Sequence, residues 1–299
     1  MKKVAYGIAG LVVLLVGAAL IVPSVIDWNA YKAEISAEVL KATGRTLEIS
    51  GELEFAVLPT PRLKVTNARL SNAPGAAADH MLSLRELEVS VKLGPLVQGD
   101  IEIAGVELVE PVIELEKLAD GKMNWVFSPE TPANTASAAP SSASRSPSSP
   151  GAGSAPPAFK LDLLRIENGT IVYRDKAAGT VERIESLTAD ISAASLAGPF
   201  TFDGRLSARG IPLTLSGRVN RFAEQGAVPF RASIGTPGTA TEIGLAGTVT
   251  DIETSPSVAA KLSGEGDDLG ALVRAFSGSA VPPQLSQAFT ISASIKATD

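Results

Sequence analysis

The sequence predicts a mainly β protein: an N-terminal transmembrane helix, then a long, curled, groove-like antiparallel β-sheet with a few short amphipathic helices. Three observations carry that reading. Residues 4–22 form an apolar run without a charge. From Thr46 to the end of the chain, short stretches alternate apolar and polar residues and close on Gly, Pro or Asn, as strands joined by turns do. Between those stretches no helical pattern is long enough for a βαβ crossover, which argues against a parallel α/β sheet.

The first element, residues 1–26, reads as an anchor. Val4 to Val22 is a run of about 19 residues, and at about 1.5 Å per residue it makes a helix of about 28 Å, close to the thickness of bilayer hydrocarbon. Lys2 and Lys3 precede it and Asp27 follows it, which favours a cytoplasmic N-terminus. Trp28 and Tyr31 stand where an interfacial aromatic belt lies, so Lys2, Lys3, Trp28 and Tyr31 are the candidate membrane-interface residues. A cleaved signal peptide ending at "GAA", Gly17 to Ala19, is the competing reading. The apolar run continues through Leu20, Ile21 and Val22 without a polar break, which favours the anchor.

Residues 27–127 open with a helix, "DWNAYKAEISAEVLKATGR". Asp27 serves as its cap, Ile35, Val39 and Leu40 share a side, and Gly44 stops it. Strand-like runs follow: "TLEISGELEFAV", "RLKVTNARLS", "SLRELEVSVKL", "DIEIAGVELVEP" and "VIELEKL". A short helical turn fits "GPLVQG", residues 94–99. Residues 128–158 are almost wholly Ser, Ala, Pro, Thr and Gly and cannot bury enough apolar surface to offset their ordering entropy. They read as a linker between domains or as a disordered loop inserted into one sheet, and the shared texture on either side favours the loop. Residues 159–299 resume the strands. "GDDLGALVRAFSG" interrupts them as a helix with Asp267 or Asp268 at its start, Leu269, Leu272, Val273 and Phe276 along one side, and Gly278 beyond its end.

Composition removes several functions. The net charge is −6 and His80 is the sole histidine, so a nucleic-acid partner is not expected. There is no cysteine for a disulfide or a thiolate, and G-x-S-x-G, P-loop and H-E-x-x-H motifs are absent. Asp267 and Asp268 read as helix caps, and Glu182, Glu185 and Asp190 as a solvated strand face. His80 falls in a Gly- and Ala-rich loop, and Trp125 reads as a core plug rather than a lipid-facing anchor. No enzyme, metal or cofactor is expected.

The alternation itself is the informative feature. In an extended strand Leu47, Ile49, Leu53, Phe55 and Val57 lie on one face and Glu48, Ser50, Glu52 and Glu54 on the other. Such a face normally packs in a sandwich or beneath helices. The chain offers about two amphipathic helices beyond the anchor for a dozen or so strands. Either two layers close on each other or a curled sheet keeps an apolar groove, with Leu47, Ile49, Leu53, Phe55, Val57, Leu63, Val65, Leu87, Val89 and Val91 as candidate lining. With an anchor at one end, acyl chains are the natural occupant of such a groove.

The order of signatures resembles the AsmA family of Gram-negative envelope proteins. The pieces are "TGR" with "ISGEL" (Thr43 to Leu53), "LPTPRL" (Leu58 to Leu63), "GPLVQGDIEI" and "NW" at Asn124 and Trp125. "IENGTIVYRD", "GPFTFDGR", "PLTLSGRV" and "DDLGALVRAFSG" follow in family order. The resemblance implies a single-pass inner-membrane protein with its bulk in the periplasm and a role in outer-membrane biogenesis. Larger members are associated with moving phospholipid towards the outer membrane, and the family is linked to outer-membrane protein assembly. Two functions are therefore expected: sheltering or transfer of phospholipid acyl chains, or a scaffold that engages envelope assembly proteins. Family members are commonly longer, and this chain stops inside an apparent strand, "FTISASIKATD", which leaves an unpaired edge. A dozen strands about 4.8 Å apart give about 58 Å of sheet, too little to bridge two membranes.

Overall fold

The computed structural model describes residues 26–98, 102–127, 161–193, 195, 198–221, 226–250, 257–277 and 281–298. A 3₁₀ turn, Trp28–Tyr31, leads into α1, Lys32–Thr43. The first strands are β1 (Leu47–Ile49), β2 (Leu53–Ala56), β3 (Arg62–Ser71) and β4 (His80–Val91), followed by α2 (Leu93–Val97), β5 (Ile103–Val109) and β6 (Val112–Lys117). Beyond residues 128–160 come β7 (Leu161–Asp175), β8 (Thr180–Ala193), β9 (Phe200–Ala208), β10 (Ile211–Val219), β11 (Val228–Gly235), β12 (Glu242–Thr250) and β13 (Ser257–Gly266). The chain then forms α3 (Leu269–Ser277), a 3₁₀ turn at Pro283–Leu285, and β14 (Phe289–Thr298).

All fourteen strands belong to one curved sheet. β1 and β2 lie end to end along β3, and β5 and β6 lie end to end between β4 and β7. The sheet is therefore twelve positions wide, from β1/β2 to β14. It is mixed rather than wholly antiparallel, which corrects the sequence expectation: β7 runs parallel to both β5 and β6. Parallel neighbours need a connection that returns the length of the strand. Lys117 pairs with Asp175 while Ile103 pairs with Leu161, so β6 ends at one end of the sheet and β7 begins at the other, about 50 Å away at the rise of a strand. No helix of crossover length is needed, so the sequence argument against parallel pairing did not apply.

Caps behave as their chemistry requires. Asp27 Oδ1 accepts from Asn29 N at 3.1 Å, and Gly44 ends α1 in the left-handed region with φ +68°. At α3, Asp268 Oδ1 accepts from Ala271 N at 3.1 Å. His80 is not a loop residue: it opens β4 opposite Ser71 and is half-buried. Phe276 is not on the packed side of α3 and is exposed, whereas Leu272 and Ala275 are buried. Arg209 and Gly210, both at positive φ, form a two-residue hairpin turn of the type that matches strand twist.

The alternation of apolar and polar residues survives a bend. Asn67, Glu110, Asn168 and Ser186 have φ near +51° at corresponding levels of β3, the β5–β6 junction, β7 and β8. Each is a step the ladder leaves unpaired, and register shifts there only where β8 pairs with β7 and β9, as at a bulge. Val65 and Ala68, three residues apart, consequently share one core cluster, and register is kept, Val65 facing Leu87 and Ala68 facing Leu84. Among the described residues no helix is long and apolar enough to cross a membrane; the proposed anchor, with Lys2 and Lys3, lies outside them.

Candidate functional site

Register turns the alternating strands into continuous apolar rows across the sheet. Phe55 faces Leu63, which faces Val89, Val106, Leu164, Ile191 and Phe202 in turn. The row continues through Gly217, Ala232, Leu245 and Leu262 to Ala293 on β14. A second row beside it runs from Leu53 through Val65, Leu87, Leu108 and Ile166 to Ile291. The eleven steps of each row make an apolar face about 50 Å long at the usual interstrand spacing.

Two helices cover parts of this face. Beneath the 3₁₀ turn and α1, Leu53 (3% exposed) and Val65 (5%) join Ala68 and Leu84 in a core that Trp28, Ile35, Leu47, Ile49, Leu63 and Leu87 pack against. The Trp28 ring lies 4.9 Å from that of Phe55 and 5.7 Å from that of Tyr31. At the other end Leu272 of α3 packs with Ala275 on Leu213, flanked by Leu206, Ile234 and Ile243. Between these caps Val89, Val106, Leu164 and Ile191 are half-buried, shielded by neighbours in the sheet. Of the ten candidate lining residues, then, Leu53 and Val65 are closed core. Leu47, Ile49, Phe55, Val57, Leu63, Leu87, Val89 and Val91 are half-buried.

The opposite face is polar in the same register. Glu54, Lys64, Glu88, Glu107, Arg165, Asp190 and Asp203 follow one another across the sheet, and Ser216, Ser233, Gly244, Ser263 and Ser292 continue the row. Lys64 Nζ lies 2.8 Å from Glu86, whose hydrogen bond raises the lysine pKa. Arg165 donates to Asp190 at 2.7 Å and holds that carboxyl below its ordinary value. Burial, reinforced by Glu167, pushes Glu107 up. Glu182, Glu185 and Asp190 are exposed, each beside an arginine. A cavity of about 540 Å³ on this side is lined by Ser216, Arg218, Arg231, Ser233 and Glu242 among others.

A buried polar knot secures the turn where the chain leaves β6. Glu116, fully buried, accepts from Ala77 N at 2.7 Å, Ala78 N at 3.0 Å and Asn72 Nδ2 at 3.2 Å. Asn124, also fully buried, accepts from Glu116 N at 2.8 Å and donates to Asn72 Oδ1 and to the Glu114 carbonyl. Arg45 donates through Nη2 to the Asn124 carbonyl at 3.1 Å. "TGR" and "NW" thus meet in one structure. Alternation alone gives no hint of Glu116 or Asn72, because only the 72–79 loop folding over β6 brings them together. Trp125 is half-buried, 6.4 Å from the Tyr173 ring. Among the described residues no cluster of His, Cys, Asp and Glu could hold a metal.

The comparisons with known proteins point to one family. The model of the AsmA family matches residues 1–274. The AsmA family protein YhjG of Escherichia coli (strain K12) is 24% identical over 189 residues, covering 59% of this chain and 26% of that protein. The match therefore spans about a quarter of that relative. No solved structure matches.

Proposed function

The chain belongs to the AsmA family, and on that premise we propose that it is an inner-membrane-anchored periplasmic protein of outer-membrane biogenesis that shelters or transfers phospholipid acyl chains along its sheet. The observation that carries the reading is the unbroken apolar row from Phe55 to Ala293, half-buried between two helical caps, with no second sheet over it among the described residues. At about 0.8 kcal/mol per methylene, a bare chain of about sixteen carbons costs on the order of 12 kcal/mol in water, and contact along one side removes roughly half of that. Among the described residues the row presents apolar side chains and glycine, so binding along it selects for hydrocarbon rather than headgroup. Catalysis is not part of the proposal. The test is a photo-crosslinking amino acid placed in cells at Val89 or Ile191, with Ser233 on the polar face as reference. Phospholipid adducts at the first two and not at the third support the groove; equal labelling of all three ends it.

A second reading is a scaffold for envelope assembly proteins. It rests on β14, which pairs only with β13 among the described residues and exposes Ser292 to Ala297. Such an edge can recruit an extended segment of a partner. A proline introduced in β14 would abolish partner capture under this reading and leave lipid adducts at Val89 unchanged.

A further inference from the structure

One end of the sheet is built differently from the other. The β2–β3 turn, Val57 to Pro61, and α2 between β4 and β5 project from the same end, joined where Val91 N donates to the Pro61 carbonyl at 2.8 Å. The 3₁₀ turn that starts the described chain lies there too, with Trp28 against Phe55. Turn tips are normally polar. Here the tips carry Leu58, 53% exposed, and Leu93, 44% exposed, and neither "VLPTP" nor "LGPLV" contains a charge. Ile26 and Tyr31 add to the exposed apolar surface at this end. Among the described residues the first charges behind the tips are paired: Arg62 lies 3.8 Å from Glu88, and Lys92 sits between Asp162 at 2.7 Å and Glu102 at 3.4 Å. At the opposite end the turns Lys176 to Gly179 and Arg209–Gly210 are polar or small, and the exposed Met123, Val126 and Phe127 follow the charged pair Asp120 and Lys122 rather than forming uncharged tips.

We propose that this end is a second membrane contact, in which the β2–β3 turn, through Leu58, and α2, through Leu93, dip into the headgroup and acyl boundary of a phospholipid bilayer. The occupant follows from what precedes the tips. The uncharged run of residues 4–22 precedes Trp28, whose ring packs on Phe55 just before the β2–β3 turn, so a helix in the bilayer would hold both tips near its surface. Aromatic Trp28 and Tyr31 stand at the level where such rings partition. The inference rests on the anchor proposed above, though not on the acyl groove. Its consequence is mechanical: two points besides the anchor would orient the sheet, with β2 to β4 nearest the lipid.

The chain has no cysteine, so single substitutions give unique labels. The full chain carrying Leu58→Cys or Leu93→Cys, each labelled with an environment-sensitive fluorophore, is reconstituted in phosphatidylethanolamine and phosphatidylglycerol vesicles containing shallow spin-labelled lipid. Val126→Cys and Val181→Cys, exposed sites at the other end, are references, and Val13→Cys reports the anchor. Blue-shifted emission and severalfold stronger quenching at 58 and 93 than at 126 and 181 are expected. Quenching at 58 and 93 no greater than at the references overturns the contact, whatever Val13 shows. Quenching at 58 and 93 with unshifted, water-like emission at Val13 supports the contact and removes the anchor instead.

Discussion

The two halves of the sheet keep one apolar face by different means. In β3 to β8 a line of left-handed residues, Asn67, Glu110, Asn168 and Ser186, resets the alternation so that a bent sheet still presents one apolar side. The backing there is charged and knitted by ion pairs such as Lys64–Glu86 and Arg165–Asp190. From β9 onward the alternation runs without a reset, and the backing mixes hydroxyls such as Ser216, Ser233 and Ser263 with charges such as Arg218, Arg231 and Lys261. On the apolar side glycines leave space that neighbours fill: a Cβ at Gly217 would meet the Phe202 ring at 2.3 Å, and one at Gly264 would meet Ile291 at 2.9 Å. Polar burial concentrates in the first half, in Glu116, Asn124 and Arg45, whereas α3 caps the second half by apolar contact, with the buried Thr241 hydroxyl accepting from Asp267 N and Asp268 N at its start. In both halves a helix closes part of the apolar side, and no second sheet lies over it among the described residues.

The largest test of that contrast is Asn124→Ala. It strips partners from the buried Glu116 N–H, Asn72 and the Glu114 carbonyl, and should cost on the order of 3–5 kcal/mol in urea unfolding of the detergent-solubilised protein. Hydrogen exchange should rise in β6 and residues 72–79 and stay unchanged in β10 to β13; equal loss in both halves would show one cooperative unit. Leu272→Ala opens a cavity over Leu213 and should cost about 3 kcal/mol, with exchange rising in β9 to β12 instead. Ile191→Ala, on the half-covered floor between the caps, should cost only about 1–1.5 kcal/mol while weakening lipid adducts nearby. A cost as large as that of Leu272→Ala would mean that the floor is closed core.

The smallest effects are electrostatic and have opposite signs. The hydrogen bond from Arg165 holds Asp190 below its ordinary value of 3.8, so its stabilising contribution is present above the unfolded value and lost as pH falls through the folded one. Burial holds Glu107 above its ordinary 4.5, so stability falls as pH rises from the unfolded value through the folded one. Thermal unfolding across pH should therefore find Asp190→Asn slightly destabilising and Glu107→Gln slightly stabilising at neutral pH. Both differences should shrink in acid. A destabilising Glu107→Gln at neutral pH would contradict the assigned burial.

Much of this was legible one residue at a time. Alternation in "TLEISGELEFAV" assigns Leu53 and Phe55 to the apolar side, Gly44 ends α1, and Asp268 caps α3, because strand pleat and helix caps are local properties. Strict alternation misleads at Val65 and Ala68, where a left-handed Asn67 intervenes, and at Phe276, whose helical side faces solvent.

By itself the sequence determined the strand content, the two-faced character of those strands and the family signatures. Only the tertiary structure decided that β7 runs parallel to β5 and β6, that Glu116 is buried while Glu114 is not, and that the rows line up from Phe55 to Ala293. The reason is range. Pleat, turn and cap depend on residues within a few positions of one another, whereas pairing partners and buried polar contacts join residues up to 79 apart, as Arg45 and Asn124 are.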